Sequence, residues 1–147
     1  MAYVSLDSEQ IKRANKKHKY TKDQVLQLEK CMDEKTGPLF FMETFMQIQH
    51  PTKGSLPFKP YDYQKRLIQS YNDHRFSIAM LPRQTGKTTC ASGYLIWYAM
   101  FKPDSQILIA AHKYAGASDI MSRVRYAYEM LPSWIKAGVT QYNRNSI

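Results

Sequence analysis

Residues 81–89 read LPRQTGKTT, and the chemistry that this run can do is phosphate binding. Gly86 lets the backbone come close to an anion with no Cβ in the way. Lys87 can reach the β- and γ-phosphates of a nucleotide, and the hydroxyl of Thr88 is a Mg²⁺ ligand of the type a P-loop supplies. Such a run works when it caps a helix. The first N–H groups there have no intrahelical acceptor, and the macrodipole presents its positive end. The full pattern G-x-x-x-x-G-K-[ST] is incomplete, because Leu81 stands where the first glycine would be. The competing reading is an ordinary strand–loop–helix connection with an incidental lysine.

The surrounding segments supply the context the run needs. Phe76, Ile78, Met80 and Leu81 make a short apolar strand candidate after the polar turn 72–75. Residues 88–101 carry Ala91, Leu95, Tyr98 and Ala99 at helical spacing, widened by Ile96 and Trp97. After the Lys102-Pro103-Asp104 break, QILIAA at 106–111 reads as a buried parallel strand, and residues 114–130 as a further helix. Upstream, Thr21 and Gln24 form a capping box for a helix reaching about Lys35, which Gly37-Pro38 should end. An aromatic- and methionine-rich helix is expected from Leu39 to Ile48, then a loop over 49–59 with a brief edge strand at 56–58, then a helix over 61–71. Residues 133–147 are ambiguous, with Gly138 and Val139 near a possible edge strand. The expected fold class is α/β: an incomplete P-loop NTPase (RecA/ASCE-like) parallel sheet with helices on its faces, preceded by a helical amino-terminal segment. The expected division is a basic, flexible segment at 1–20, a helical subdomain at 21–60, and the amino-terminal half of a P-loop ATPase domain at 61–147.

Composition narrows the class of protein. The 147 residues are 44% hydrophobic and 22% charged, which is ordinary for a globular domain. The net charge of +9 favours a polyanionic partner, nucleic acid first. Lys12, Arg13, Lys16, Lys17 and Lys19 cluster near the amino terminus, either as a solvated face or as a contact to nucleic acid. Cys31 and Cys90 fit no metal spacing and no disulfide framework, and Cys90 is expected to be a small buried thiol. No apolar run approaches a membrane span, and no signal peptide is evident, so a cytoplasmic location is expected.

Gln64, in Tyr61-Asp62-Tyr63-Gln64-Lys65-Arg66, carries an amide able to pair with both N6 and N7 of adenine; the alternative is a polar residue on an exposed helix face. That upstream YQ-K/R element together with RQ-x-GKTT resembles the ATPase domain of the large terminase subunit of tailed phages, in particular the T-even-like group. KRAN at 12–15, the Thr-initiated helix, Ala111-His112-Lys113 and the Leu131-Pro132 break occur in that family's order, so the likeness extends from about residue 10 onward. In this family the first P-loop glycine is commonly lost and an Arg-Gln pair enters the loop, so Leu81 fits the resemblance.

The resemblance implies an ATP-driven motor that packages double-stranded DNA into procapsids, with a separate nuclease domain. It implies Gln64 as the adenine reader, and Gln84, Thr85, Gly86, Lys87, Thr88 and Thr89 as the ATP-contacting loop with Mg²⁺ on Thr88. Arg83 would contact the γ-phosphate and, with Lys87, serve catalysis by offsetting developing charge. The portal, the small terminase subunit and the remainder of the large subunit are the implied partners, and the cytoplasm of an infected bacterium is the implied location. His112-Lys113 is either a coupling or DNA-facing element or a surface pair. Hydrolysis also needs an acidic residue at the end of a buried strand. Asp104, Asp119 and Glu129 do not sit in that pattern. An amino-terminal piece of a terminase is therefore expected, binding ATP weakly and turning it over poorly. The alternative is a non-catalytic terminase-like module that binds a phage or host partner or DNA. A helicase-like ATPase is disfavoured by Arg83-Gln84 and by the lack of helicase strand motifs.

Overall fold

The computed structural model describes residues 10–50, 52–144 and 146–147. Five helices form most of it: α1 (Lys22–Met32), α2 (Gly37–Phe45), α3 (Asp62–Asp73), α4 (Lys87–Phe101) and α5 (Tyr114–Glu129), with a hairpin of β1 (Gln47–His50) and β2 (Gly54–Pro57) between α2 and α3.

The local signals at the helix ends explain most boundaries. Thr21 and Gln24 make the expected capping box, each side chain taking the other's backbone N–H at 3.3 and 3.0 Å. The helix stops at Met32, earlier than expected, because the Asp33 carboxylate accepts from the N–H groups of Lys35 and Thr36 and folds the chain into an Asx turn. Gly37-Pro38 opens α2 rather than merely ending α1, since proline at the first helical positions lacks an N–H that would be unpaired anyway. In the hairpin, Gln47 faces Pro57 and His50 faces Gly54, and Gly54 takes φ +71° at the end of the short connection.

The core is helical. Trp97, Phe41, Met42, Ile68, Cys31 and Cys90 are among its fully or nearly fully buried side chains. The indole Nε1–H of Trp97 donates to the Cys31 carbonyl at 2.7 Å, tying α4 to the end of α1. The Tyr94 hydroxyl donates to the Tyr71 carbonyl at 3.2 Å, tying α4 to α3, and a Lys65–Glu43 ion pair at 2.9 Å links α3 to α2. Gly93 lets α4 approach Met42 and Met46 so closely that any Cβ there would collide with both thioethers. Within the basic segment, Ile11 is buried, Ala14 and Lys12 exchange backbone hydrogen bonds with Val139, and Arg13 bridges to it in parallel fashion. Lys16, Lys17 and Lys19 are exposed. The remainder of the segment 1–20, residues 1–9, lies outside the described residues.

The expected parallel sheet is not formed among the described residues, where the one sheet is the antiparallel β1–β2 pair. Residues 76–81 and 106–111 leave their helices without joining a ladder. Phe76, Ile78 and Met80 are 80, 94 and 92% exposed, and Leu108 is 92% exposed. Leu81 and Ile109 alone among these residues pack against the core. The physical reason is that a strand, unlike a helix, satisfies its backbone only through a neighbour. Neither segment has one among the described residues, and none of residues 76–80 or 106–111 takes part in a backbone–backbone hydrogen bond there.

Candidate functional site: the Gly-Lys-Thr loop

The loop at 81–86 enters α4 through Gly86, whose φ of +74° and ψ of 14° lie in the left-handed region. Only glycine adopts that conformation at little cost, so the residue before the lysine is fixed by backbone geometry as well as by access. Gln84 is also left-handed, at φ +64°, giving the loop two reversals in three residues. No side chain caps α4. The amides of Lys87, Thr88 and Thr89 therefore head the helix with no intrahelical acceptor, and the Cys90 amide is the first to be paired, to Gly86 O at 2.9 Å. Unpaired amides at a helix start can receive an anion, and on the other side of the loop a Cβ on Gly86 would stand 2.6 Å from Gln64 Nε2.

Lys87 lies across the mouth of the loop. Its ammonium donates to the carbonyls of Leu81 at 2.9 Å and Pro82 at 3.4 Å. The Thr85 hydroxyl donates to Pro82 O at 3.0 Å, so both side chains brace the upstream carbonyls. Thr88 and Thr89 are partly buried, while Arg83 is exposed with no ion pair or hydrogen bond among the described residues. Of the loop residues, only Thr89 lines the cavity of about 390 Å³ between β1, α4 and α5, beside Ser92, Asp119 and Arg123. Asp119 is taken up by Arg123 at 3.3 Å, and Glu129 accepts from the Tyr142 hydroxyl.

Gln64 is brought to the loop, and it is not a polar residue on an exposed face: it is 6% exposed. Its Nε2 donates to the Thr85 carbonyl at 3.0 Å and its Oε1 accepts from the Tyr61 amide at 3.0 Å. The partners fix the amide's orientation, because a carbonyl can only accept and a backbone N–H can only donate. Tyr63 went unassigned in the sequence; its hydroxyl donates to the same Thr85 carbonyl at 2.9 Å. Its ring lies parallel to that of Tyr61, with centroids 5.8 Å apart. The one signal available was its place beside Gln64 on a helix start.

The basic cluster is not gathered with the loop. Lys12 and Arg13 run along Val139 and, through the Lys12 amide, reach the Tyr128 hydroxyl on α5 at 3.4 Å. Partial burial and the neighbouring Lys16 charge hold the Lys12 pKa below its ordinary value. His112 and Lys113 are exposed just before α5. No helix of the described residues is long and apolar enough to cross a membrane.

Comparison with known protein families finds a match over the loop and the segments that follow it. Residues 78–147 match the family described as the terminase large subunit, T4likevirus-type, N-terminal. The match takes in the Gly-Lys-Thr loop, α4, residues 106–111 and α5. By that match residues 78–147 are similar to the amino-terminal region of the T4-like terminase large subunit, a family of phage DNA packaging.

Proposed function

We propose that the chain is the ATP-binding part of the motor that drives double-stranded DNA into phage procapsids. The observation that carries this reading is Gly86 in the left-handed conformation at the head of an uncapped α4, with Lys87 and Thr88 immediately after it. ATP with Mg²⁺ would supply the transferable phosphoryl group and the charge that holds it in place. Lys87, now on the Leu81 and Pro82 carbonyls, would exchange them for phosphate oxygens. The Thr88 hydroxyl would face the metal, and exposed Arg83 is free to swing toward the terminal phosphate. The amides of Lys87, Thr88 and Thr89 would hold the anion without reorganising.

In this reading residues 76–81 and 106–111 are two strands of the parallel sheet of a P-loop NTPase, paired when further strands are supplied by the remainder of the large subunit. Their exposed apolar side chains and free backbone groups support it. The same exposed segments favour a second reading, a non-catalytic module that docks a phage or host partner through them. One experiment tests the nucleotide claim. ATP with Mg²⁺ should raise the melting temperature of the 147-residue chain, and Lys87→Ala should abolish the shift. An equal shift in both proteins removes the claim.

A further inference from the structure

We propose that Gln64 and Tyr63 are positioning residues that clamp the phosphate loop from α3, so that this pair governs affinity for the phosphate chain itself, independently of any base. The inference rests on the nucleotide-binding reading above and deepens it.

Three observations converge. First, the Thr85 carbonyl, one residue before the left-handed Gly86, receives two donors from the start of α3: Gln64 Nε2 at 3.0 Å and Tyr63 Oη at 2.9 Å. A carbonyl has two lone pairs, so its capacity is filled. With that oxygen held on α3, the peptide joining Thr85 to Gly86 cannot rotate freely, and the N–H groups that follow keep their direction. Second, Gln64 lies flush against the loop. A Cβ built on Gly86 would stand 2.6 Å from Gln64 Nε2, so the amide occupies the space that a side chain at 86 would need. Third, the clamp has its own support. Gln64 Oε1 closes the capping box on the Tyr61 amide, and the Tyr61 ring stacks on Tyr63. Neither clamping side chain is free to leave without undoing a contact at the first turn of α3.

What the clamp does follows from the loop's composition. Gln84 and Gly86 both have positive φ, and loops of that kind have many alternatives once released. Fixing Thr85 O removes those alternatives before the anion arrives, which is preorganisation. Gln64 therefore acts on the ligand through Thr85, without needing to touch it.

The discriminating probe is a phosphate chain with no base. Tripolyphosphate with Mg²⁺ is titrated into the wild-type chain and into Gln64→Ala, Gln64→Glu and Tyr63→Phe, with ATP and GTP in parallel. Gln64→Glu keeps an oxygen for the Tyr61 amide but sets a second oxygen against the Thr85 carbonyl, so α3 stays capped while the clamp is lost. Tripolyphosphate affinity should fall roughly tenfold in Gln64→Ala and at least as much in Gln64→Glu, the scale of one lost buried hydrogen bond. Tyr63→Phe should cost about threefold, and the ATP-to-GTP ratio should move less than the tripolyphosphate affinity in every variant. If wild type and the folded variants hold tripolyphosphate equally, or only the ATP-to-GTP ratio changes, the clamp is overturned and the phosphate loop stands. If wild type binds neither tripolyphosphate nor ATP, the nucleotide reading falls and the clamp falls with it. Gln64→Glu and Tyr63→Phe decide the matter if Gln64→Ala does not fold.

Discussion

Gly86→Ala tests the loop geometry without any ligand. An L-residue at φ +74° pays the left-handed penalty, about 1–2 kcal/mol. The new Cβ would also lie 2.6 Å from Gln64 Nε2, inside any tolerable contact. That amide is buried and already bonded at both ends, so relief means breaking its 3.0 Å bond to the Thr85 carbonyl. That adds about 1 kcal/mol, for a total of roughly 2–3 kcal/mol. The two parts separate in a double-mutant cycle. In a Gln64→Ala background the amide and its bond are gone, and Gly86→Ala should then cost only the backbone part. The coupling between the two sites is therefore expected at about 1 kcal/mol. The assay is urea unfolding of the four proteins at one pH, followed by tryptophan fluorescence. Additivity within about 0.3 kcal/mol would show that the two side chains do not share space, and would refute the packing argument for this loop.

Two further outcomes are expected. Burial raises the Cys90 thiol from its ordinary 9.0 to about 11, and that of Cys31 to about 12. The unfolded chain gives up those protons first, so the contribution is complete below pH 9 and is lost as pH climbs toward 11. The urea midpoint should drop over that interval, and Cys90→Ala, although weaker at pH 7, should show a shallower drop; parallel curves would remove the thiol from the account. Ile78→Thr with Leu108→Thr alters side chains that are 94 and 92% exposed. Monomer stability should change by less than about 0.5 kcal/mol while self-association at high concentration falls, because unpaired apolar strand segments are templates for pairing; unchanged light scattering would contradict this.

The helices were legible because their information is local. Thr21 and Gln24 announce a start within four residues, whereas the stop at Met32, where the Asp33 carboxylate turns the chain, was expected only near Lys35. The loop was legible for a similar reason, since Gly-Lys-Thr before an apolar helical stripe is a contiguous signal. Strand pairing was not legible, because the composition of 76–81 and 106–111 states a preference for extended backbone but says nothing about a neighbour. The role of Gln64 was half legible. Its residue type was read as one suited to a base, whereas its placement depends on how α3 packs on α4, through contacts such as Tyr94 to Tyr71 that no local pattern records. The contact between Arg13 and Val139 spans nearly the whole chain and had no signature beyond an ambiguous Gly138-Val139. There Ala14 comes so near that a Cβ on Gly138 would lie 2.7 Å from its Cα.

These placements divide the Gly-Lys-Thr loop and its approach into two halves with different support. The downstream half rides on α4, which α1 and α3 hold through Trp97–Cys31 and Tyr94–Tyr71, so its amides are set in place by the helical core. The upstream half, residues 76–82, has no ladder to hold it, and its chief link to α4 is the Lys87 ammonium on the Leu81 and Pro82 carbonyls. On the nucleotide reading, an arriving phosphate takes that ammonium and removes the link. The free energy of binding then includes the ordering of a segment that was tethered by the lysine being recruited. A neighbouring strand that pairs residues 76–81 supplies the missing support, and so raises affinity for the phosphate. By reciprocity the bound phosphate favours the paired strand by the same factor. On that reading the loop and the unpaired segment 76–81 are one thermodynamic unit, joined at Leu81.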